Sequence, residues 1–339
     1  MNDPMTKFRH WFQGGTLVWP ILGLLLLAVF NLIYAPSFFR LEILNGHLYG
    51  TPVDILNQGS KVLLLSLGMT LVIATGGVDL SVGSLMAVSG AVTAALITQS
   101  NAPFPVAVAL ALIATTCAGF GNGVLIVYAR VQPIIATLIL MVAGRGVAML
   151  ITGGQIVTFE HPSYVFLANG HFLGLPFTLT ISAILFVFLL LIARKTAFGL
   201  FIESLGDNEK AARYCGINTN LLKLLVYAFS GFCAGIAGLI AASNIKAADA
   251  SRIGEMMELD AIFAVVVGGT ALTGGRFTLV GSVIGALLIQ TLTTTMYNIG
   301  VSPAVAPVPK AILVVSVCLL QSAKFRDYFK GMLGRRRLA

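Results

Sequence analysis

Six apolar runs of this sequence, at 16–35, 105–128, 133–152, 176–193, 223–242 and 305–321, are each close to the length of a helix that crosses a bilayer, which takes about 20 mostly apolar residues. Two longer stretches, 55–97 and 259–292, are interrupted by Gly76 and Gly77 and by Gly268, Gly269, Gly274 and Gly275. Each reads as two helices with a break between them. The expectation is an all-α, polytopic membrane protein of about ten spans, a single transmembrane domain over residues 1–339. Five spans fall in each half, which sets the halves in opposite orientation and permits a 5+5 inverted repeat. Composition supports this: 10% of the residues are charged, against about 25% in soluble domains, too few to build a water-facing surface. The first run, preceded by Lys7 and Arg9, mimics a signal peptide but is long enough to span, and reads as a retained helix.

Lysine and arginine set the orientation of such a chain. With the N-terminus inside and ten crossings, fifteen of the 21 basic residues fall on the inner side, from Lys7 and Arg9 to the tail at 323–339. Arg40, Lys61, Lys246, Arg252 and Lys310 fall outside, and Arg145 lies within a span. This asymmetry places both termini in the cytoplasm of a bacterial inner membrane. The basic tail reads as an anchor attracted to anionic lipid. The basic residues sit at helix ends and form no stripe, which argues against nucleic-acid binding.

Several chemistries find no support. Cys117, Cys215, Cys233 and Cys318 are scattered and form no CxxC pair, so neither a metal cluster nor a disulfide framework is indicated. The four histidines show no metal-ligand spacing. No phosphate-binding GxxxxGK[ST], no HExxH and no GxSxG is present. The chain reads as a transporter and not as an enzyme. Any use of ATP requires a separate ATPase.

The break at 74–84, ATGGVDLSVGS, has a physical reading. Gly76 and Gly77 loosen one helix, and Asp79 with Ser81 can cap the next. Irregular backbone at membrane depth is tolerated where protein buries it or water lines it, so the break points either to a transport path or to a capped turn at the surface. Arg145, between Gly144 and Gly146, is costly in lipid, by roughly 2.5–3.5 kcal/mol on insertion scales. It either pairs with Asp79 or Asp260 or snorkels to the outer interface. Thr75, Asn122, Gln132, Thr270 and Thr273 are further candidates for lining a path, or for bonding between helices. No aromatic cluster announces a sugar pocket.

The longest polar inside loop, 194–222, reads RKTAFGLFIESLGDNEKAARYCGINTNLL. Asp207 can cap a short helix running through Cys215, with Glu209 in its first turn and Arg213 near its last, an order that suits the helix dipole. Gly206 and Asn208 flank the cap, and Gly216 is placed to end the helix. Ala211, Ala212 and Cys215 give a small-residue face, fit either to press into a cleft on a partner or to lie on the bilayer. The pattern K-T-x-x-G…G-x-N…A-A-x-x-x-G-I here, the block at 74–84 and the block VVGGTALTGGRFTLVGSVIGALLI at 266–289 resemble, in order, three motifs of the ribose/xylose/arabinose permease family of bacterial ABC sugar importers. The likeness covers about 52–321. Within it, GMTLVIATGG, ATLILMVAGRGVA and ELDAI are most similar to permeases for galactofuranose.

The resemblance implies a type II importer fold in which 194–222 is the coupling loop seated in a cytoplasmic ATPase. ATP and Mg would be bound by that partner, with no cofactor in this chain. It also implies a periplasmic sugar-binding protein, a second permease copy, identical or related, and a pentose or hexose substrate, galactofuranose first. The alternative from the residues alone is an ion-coupled secondary sugar transporter, with Asp79 and Asp260 as ion carriers.

Overall fold

The computed structural model of the chain describes residues 17–44 and 46–321. Lys7, Arg9 and the basic tail at 323–339 lie outside the described residues. Helix α1 (Val18–Tyr34) leads through a 3₁₀ turn to a hairpin of β1 (Glu42–Leu44) and β2 (His47–Tyr49). Then come α2 (Thr51–Ala74), α3 (Val82–Gln99), α4 (Phe104–Val127) and α5 (Pro133–Thr152). A short excursion follows: β3 (Val157–Thr158), α6 (Pro162–Asn169), β4 (His171–Phe172) and β5 (Leu175–Pro176). The chain continues as α7 (Phe177–Lys195), α8 (Ala197–Asp207), α9 (Glu209–Tyr214), α10 (Thr219–Ile245), β6 (Ala247–Ala248), α11 (Met257–Val267), α12 (Leu279–Asn298) and α13 (Pro307–Gln321).

Among the described residues, seven helices are long and apolar enough to cross a membrane: α2, α3, α4, α5, α7, α10 and α12. Helices α1 and α13 are apolar but shorter. The compound stretches break where their glycines stand, at 75–81 and 268–278. Helix α11, however, has only 11 residues. At 1.5 Å per residue it covers about half of a ~30 Å hydrocarbon layer, so the expected pair of spans over 259–292 is a half-helix followed by a full one. Lys61, expected in an outside loop, lies within α2, because that helix begins at Thr51 and carries the chain into the membrane earlier.

Helices α2, α3, α10 and α12 are mostly buried, whereas α4, α5 and α7 are mostly exposed. Among the seven, α5 and α7 are the most apolar, yet they lie outermost, the reverse of a water-soluble protein. Their side chains face lipid, while the interior is a mainly hydrophobic core into which buried serines and threonines are set. Those hydroxyls are satisfied locally, as Ser66 Oγ donates to the Val62 carbonyl at 2.7 Å and Thr93 Oγ1 to the Ser89 carbonyl at 2.9 Å.

The seam between α4 and α10 is built on two glycine pairs four residues apart, Gly119/Gly123 and Gly231/Gly235. A side chain on Gly119 would meet the Tyr227 carbonyl and Gly231, and one on Gly231 the Thr115 carbonyl. Small residues let two backbones touch, which is the main source of helix association in lipid. Helix α1 joins the bundle through Asn31, whose Nδ2 donates to Thr295 Oγ1 on α12 at 2.7 Å.

One end of the bundle carries α8 and α9; the other carries the strands. At this hairpin end β3 pairs with β6, tying the chain after α5 to the chain after α10. The β1–β2 and β4–β5 hairpins meet through the Leu48 amide, which donates to the Gly174 carbonyl at 3.0 Å. His47 stacks on His171 there, with ring centroids 4.3 Å apart. Burial, and then the neighbouring His47, hold the His171 imidazole below the ordinary histidine pKa.

Candidate functional site

The segment 196–217 folds as two short helices set on the start of α10. Thr196 caps α8, its hydroxyl oxygen accepting from the Phe198 amide at 3.2 Å. The expected cap at Asp207 is one residue off. Asp207 closes α8, and Asn208, extended at φ −156°, caps α9 by accepting from the Ala211 amide at 3.0 Å. Asp207 is still helical, so its side chain has no approach to the next turn. The helix ends at Tyr214, and Gly216 reverses the chain at φ +83°.

Glu209 braces α9 against α10. Its carboxylate accepts from Arg213 Nη2 at 2.9 Å and from Lys223 Nζ at 2.7 Å. Partial burial raises the Glu209 pKa, but Lys223 and Arg213 together outweigh this and hold the carboxyl below the usual glutamate range. Arg213 Nε also donates to Thr219 Oγ1 at 2.7 Å. This bracing splits the expected small-residue face. Ala212 is turned inward with 4% exposure, whereas Ala211 and Cys215 face out beside Tyr214, which is 91% exposed.

Three segments far apart in sequence meet behind this loop. The Gly275 amide donates to the Ala74 carbonyl at 2.9 Å. A side chain on Gly206 would collide with that carbonyl and with the Gly275 amide. One on Gly274 (φ +88°) would lie 2.9 Å from the Gly76 amide nitrogen and 3.0 Å from the Gly206 carbonyl. The end of α2, the α8–α9 junction and the loop between α11 and α12 thus touch backbone to backbone.

Below this contact lies a buried polar cluster. Asp79 is fully buried. Its Oδ1 accepts from the Ser81 amide at 3.0 Å and from Ser81 Oγ at 2.5 Å, and its Oδ2 accepts from Ser230 Oγ at 2.7 Å. Asn122 Nδ2 donates to Ser81 Oγ at 3.0 Å. Asp79 therefore forms a turn around Ser81 and does not cap the free amides of α3; Ser81 stands at the cap position without a side-chain cap bond. The cluster joins α3, α4 and α10 at the break.

Arg145 pairs with neither expected acid. Its Nη1 donates to the Ala250 carbonyl at 2.9 Å and the Ile253 carbonyl at 2.6 Å. Asp79 is already satisfied by hydroxyls, and Asp260 is taken by Lys310 on α13, whose Nζ lies 2.7 Å from its Oδ2. The remaining candidates scatter. Thr75 Oγ1 donates back to the Val72 carbonyl at 2.7 Å, and Thr270 Oγ1 accepts from the Thr278 amide at 3.3 Å. Thr273 and Gln132 are exposed. The candidates form one buried cluster, one group at the α8–α9 end and Arg145 alone. Sequence reading missed an aromatic cluster at the hairpin end. Phe159 stacks on Tyr164 at 4.2 Å, Phe104 on His161 at 5.5 Å, and Phe166 approaches Phe177 at 5.3 Å. These rings come from four separate elements or loops, so no local pattern announces them.

Long apolar helices whose packed core carries a buried polar cluster at a helix break, with a braced loop helix at one end, define a multi-pass membrane transport protein. Residues 51–320 match the family described as the branched-chain amino acid transport system / permease component, and the chain belongs to it. It is similar to the galactofuranose transporter permease protein YtfT of Escherichia coli K12, at 46% identity over 335 residues, covering 99% of this chain and 98% of that one. It is similar to the fructose import permease protein FruF of Bifidobacterium longum, at 39% over 333 residues and 96% and 93% of the two chains. With the ribose import permease protein RbsC of Bacillus subtilis it shares 38% over 310 residues, 90% and 92% of the two chains. No solved structure matches the chain. The chain is a permease subunit of an ABC importer and not an enzyme.

Proposed function

We propose that this permease conducts a monosaccharide, galactofuranose first and ribose or a similar sugar second, across the bacterial inner membrane. The first place of galactofuranose follows the similarity to YtfT, ahead of FruF and RbsC. A cytoplasmic ATPase, holding ATP and Mg, docks on the outward face of α9 at Asn208, Ala211, Tyr214 and Cys215. A periplasmic sugar-binding protein delivers the sugar to the hairpin end, and a second permease, identical or related, completes the channel. Both termini then lie in the cytoplasm.

The backbone contact among Gly206, Ala74 and Gly275 carries this reading. A push on α9 reaches the broken ends of two membrane elements without an intervening flexible side chain. The Glu209 brace passes the same push to α10. Helices packed this way move as bodies between two arrangements, which is what alternating access requires.

The test is purification of the chain with its native partners, then sugar uptake into vesicles. ATP-dependent uptake of labelled galactose or ribose, lost on replacing Ala211 by Trp while the fold persists, supports the reading. Uptake driven by an ion gradient and indifferent to ATP would sink it.

A further inference from the structure

Residues 249–256 leave β6 at the hairpin end and run inward beside α3 before α11 begins. Their depth is set by two contacts. The Ile253 side chain lies 3.3 Å from where a side chain on Gly90 would start, and the Gly254 carbonyl packs against Gly83 in the first turn of α3. The segment is bracketed by Lys246 at φ +52° and Met256 at φ +61°. Both are side-chain-bearing residues in the left-handed region, where steric repulsion disfavours them. Between these ends the segment holds its own turn, Asp249 Oδ1 accepting from the Ser251 amide at 3.0 Å and the Arg252 amide at 3.2 Å. Its two carbonyls at Ala250 and Ile253 take both bonds of Arg145, from α5.

A cleft of about 610 Å³ separates this segment from the end of α5, within the roughly 300–1,000 Å³ of small-molecule sites. Thr152 and Gln155 line one wall, and Asp249, Ser251 and Arg252 the other. Hydroxyl, amide, carboxylate and guanidinium groups on facing walls suit a ligand that is all vicinal hydroxyls.

We propose that residues 249–256 are the gate on the hairpin side of the transport path, that Arg145 latches it, and that this cleft receives the sugar. The proposal rests on the permease reading above. Hinges are a few residues that absorb a change of φ and ψ, and Lys246 and Met256 are placed to do so. Glu258, Glu255 and Asp249 surround Arg145 electrostatically. A guanidinium released from the two carbonyls therefore has carboxylates to turn to, which gives the latch a second resting arrangement.

The experiment uses the complex with its native ATPase, the chain carrying Ser251→Cys and the exposed Cys117 and Cys215 replaced by Ser. Labelling of Cys at 251 by an impermeant maleimide is timed without nucleotide and after trapping with ATP and vanadate. The two rates should differ by at least about fivefold, in the usual range of allosteric coupling. Arg145→Gln should bring them within about twofold, and Arg145→Lys, which keeps the charge but not the planar fork, should fall between. Should the Gln variant fail to assemble, the Lys variant decides. Equal rates in both states, or a difference that neither variant reduces, overturns the gate. ATP-dependent galactose uptake by the same complex with the unsubstituted chain separates the outcomes. Uptake with static labelling removes the gate alone, and absence of ATP-dependent uptake removes the permease reading.

Discussion

Gly206 and Ala74 touch so closely that a methyl group on Gly206 would overlap the Ala74 carbonyl oxygen. Gly206→Ala must push apart the α8–α9 junction and the end of α2, at a cost of about 1–3 kcal/mol. The outward face of α9 is unchanged, so the ATPase should still co-purify while uptake falls by about tenfold or more. Gly121→Ala is the control. It faces open space within α4, and alanine there should be neutral or stabilising by up to about 1 kcal/mol. Co-purification, uptake and thermal unfolding of both variants check this.

Asp79→Asn keeps an oxygen for the Ser81 amide and hydroxyl and offers an amide to Ser230 Oγ, whose hydroxyl can turn to accept it. Its cost should stay near 1 kcal/mol. Asp79→Ala leaves three buried donors without acceptors, each costing about 1–3 kcal/mol, and should be poorly folded. Detergent-solubilised melting curves and membrane levels distinguish the two.

Asp260 and Lys310 form a pair that is 16% and 12% exposed at the side chain. Removing one partner leaves a buried charge alone, which typically costs 3–5 kcal/mol. Asp260→Leu and Lys310→Met should each destabilise the chain strongly, and the double variant should be more stable than either single one. A double-mutant cycle of unfolding midpoints measures the coupling.

His171 is held below its ordinary pKa by burial and by His47. The stabilisation of the neutral ring is present above about pH 6.5. It is lost as the pH falls through the lower folded value, where the ring charges against its stacked neighbour. Hydrogen exchange at the Leu48 amide, corrected for the intrinsic rate, should rise on acidification as the two hairpins separate. His171→Phe should remove that response.

The spans were legible because lipid imposes one simple requirement, a long apolar run. Both breaks were legible because paired glycines, Gly76–Gly77 in one and Gly268–Gly269 with Gly274–Gly275 in the other, interrupt the apolar runs. The depth of α11 was not, since residues 249–258 read as an outside loop and only the contacts with Gly83 and Gly90 draw them inward. The loop helix was found but its cap misplaced, because Asp207 and Asn208 are both good caps and only the course of α8 chooses between them. The partners of Arg145 escaped sequence reading altogether. Backbone carbonyls carry no signature in a sequence, and a choice confined to the acids Asp79 and Asp260 passes over Asp249, Glu255 and Glu258 beside the carbonyls that hold it.

Gly119, Gly123, Gly231 and Gly235 leave α4 and α10 little clearance over the middle of their seam. Two rods in such contact cannot slide or shear without lifting apart, so the pair acts as one stiff girder. Any rocking during turnover must be borne at its margins, where α2, α3 and α5 adjoin. Engineering that aims to slow or freeze the cycle has most leverage at those margins, and least at the girder itself.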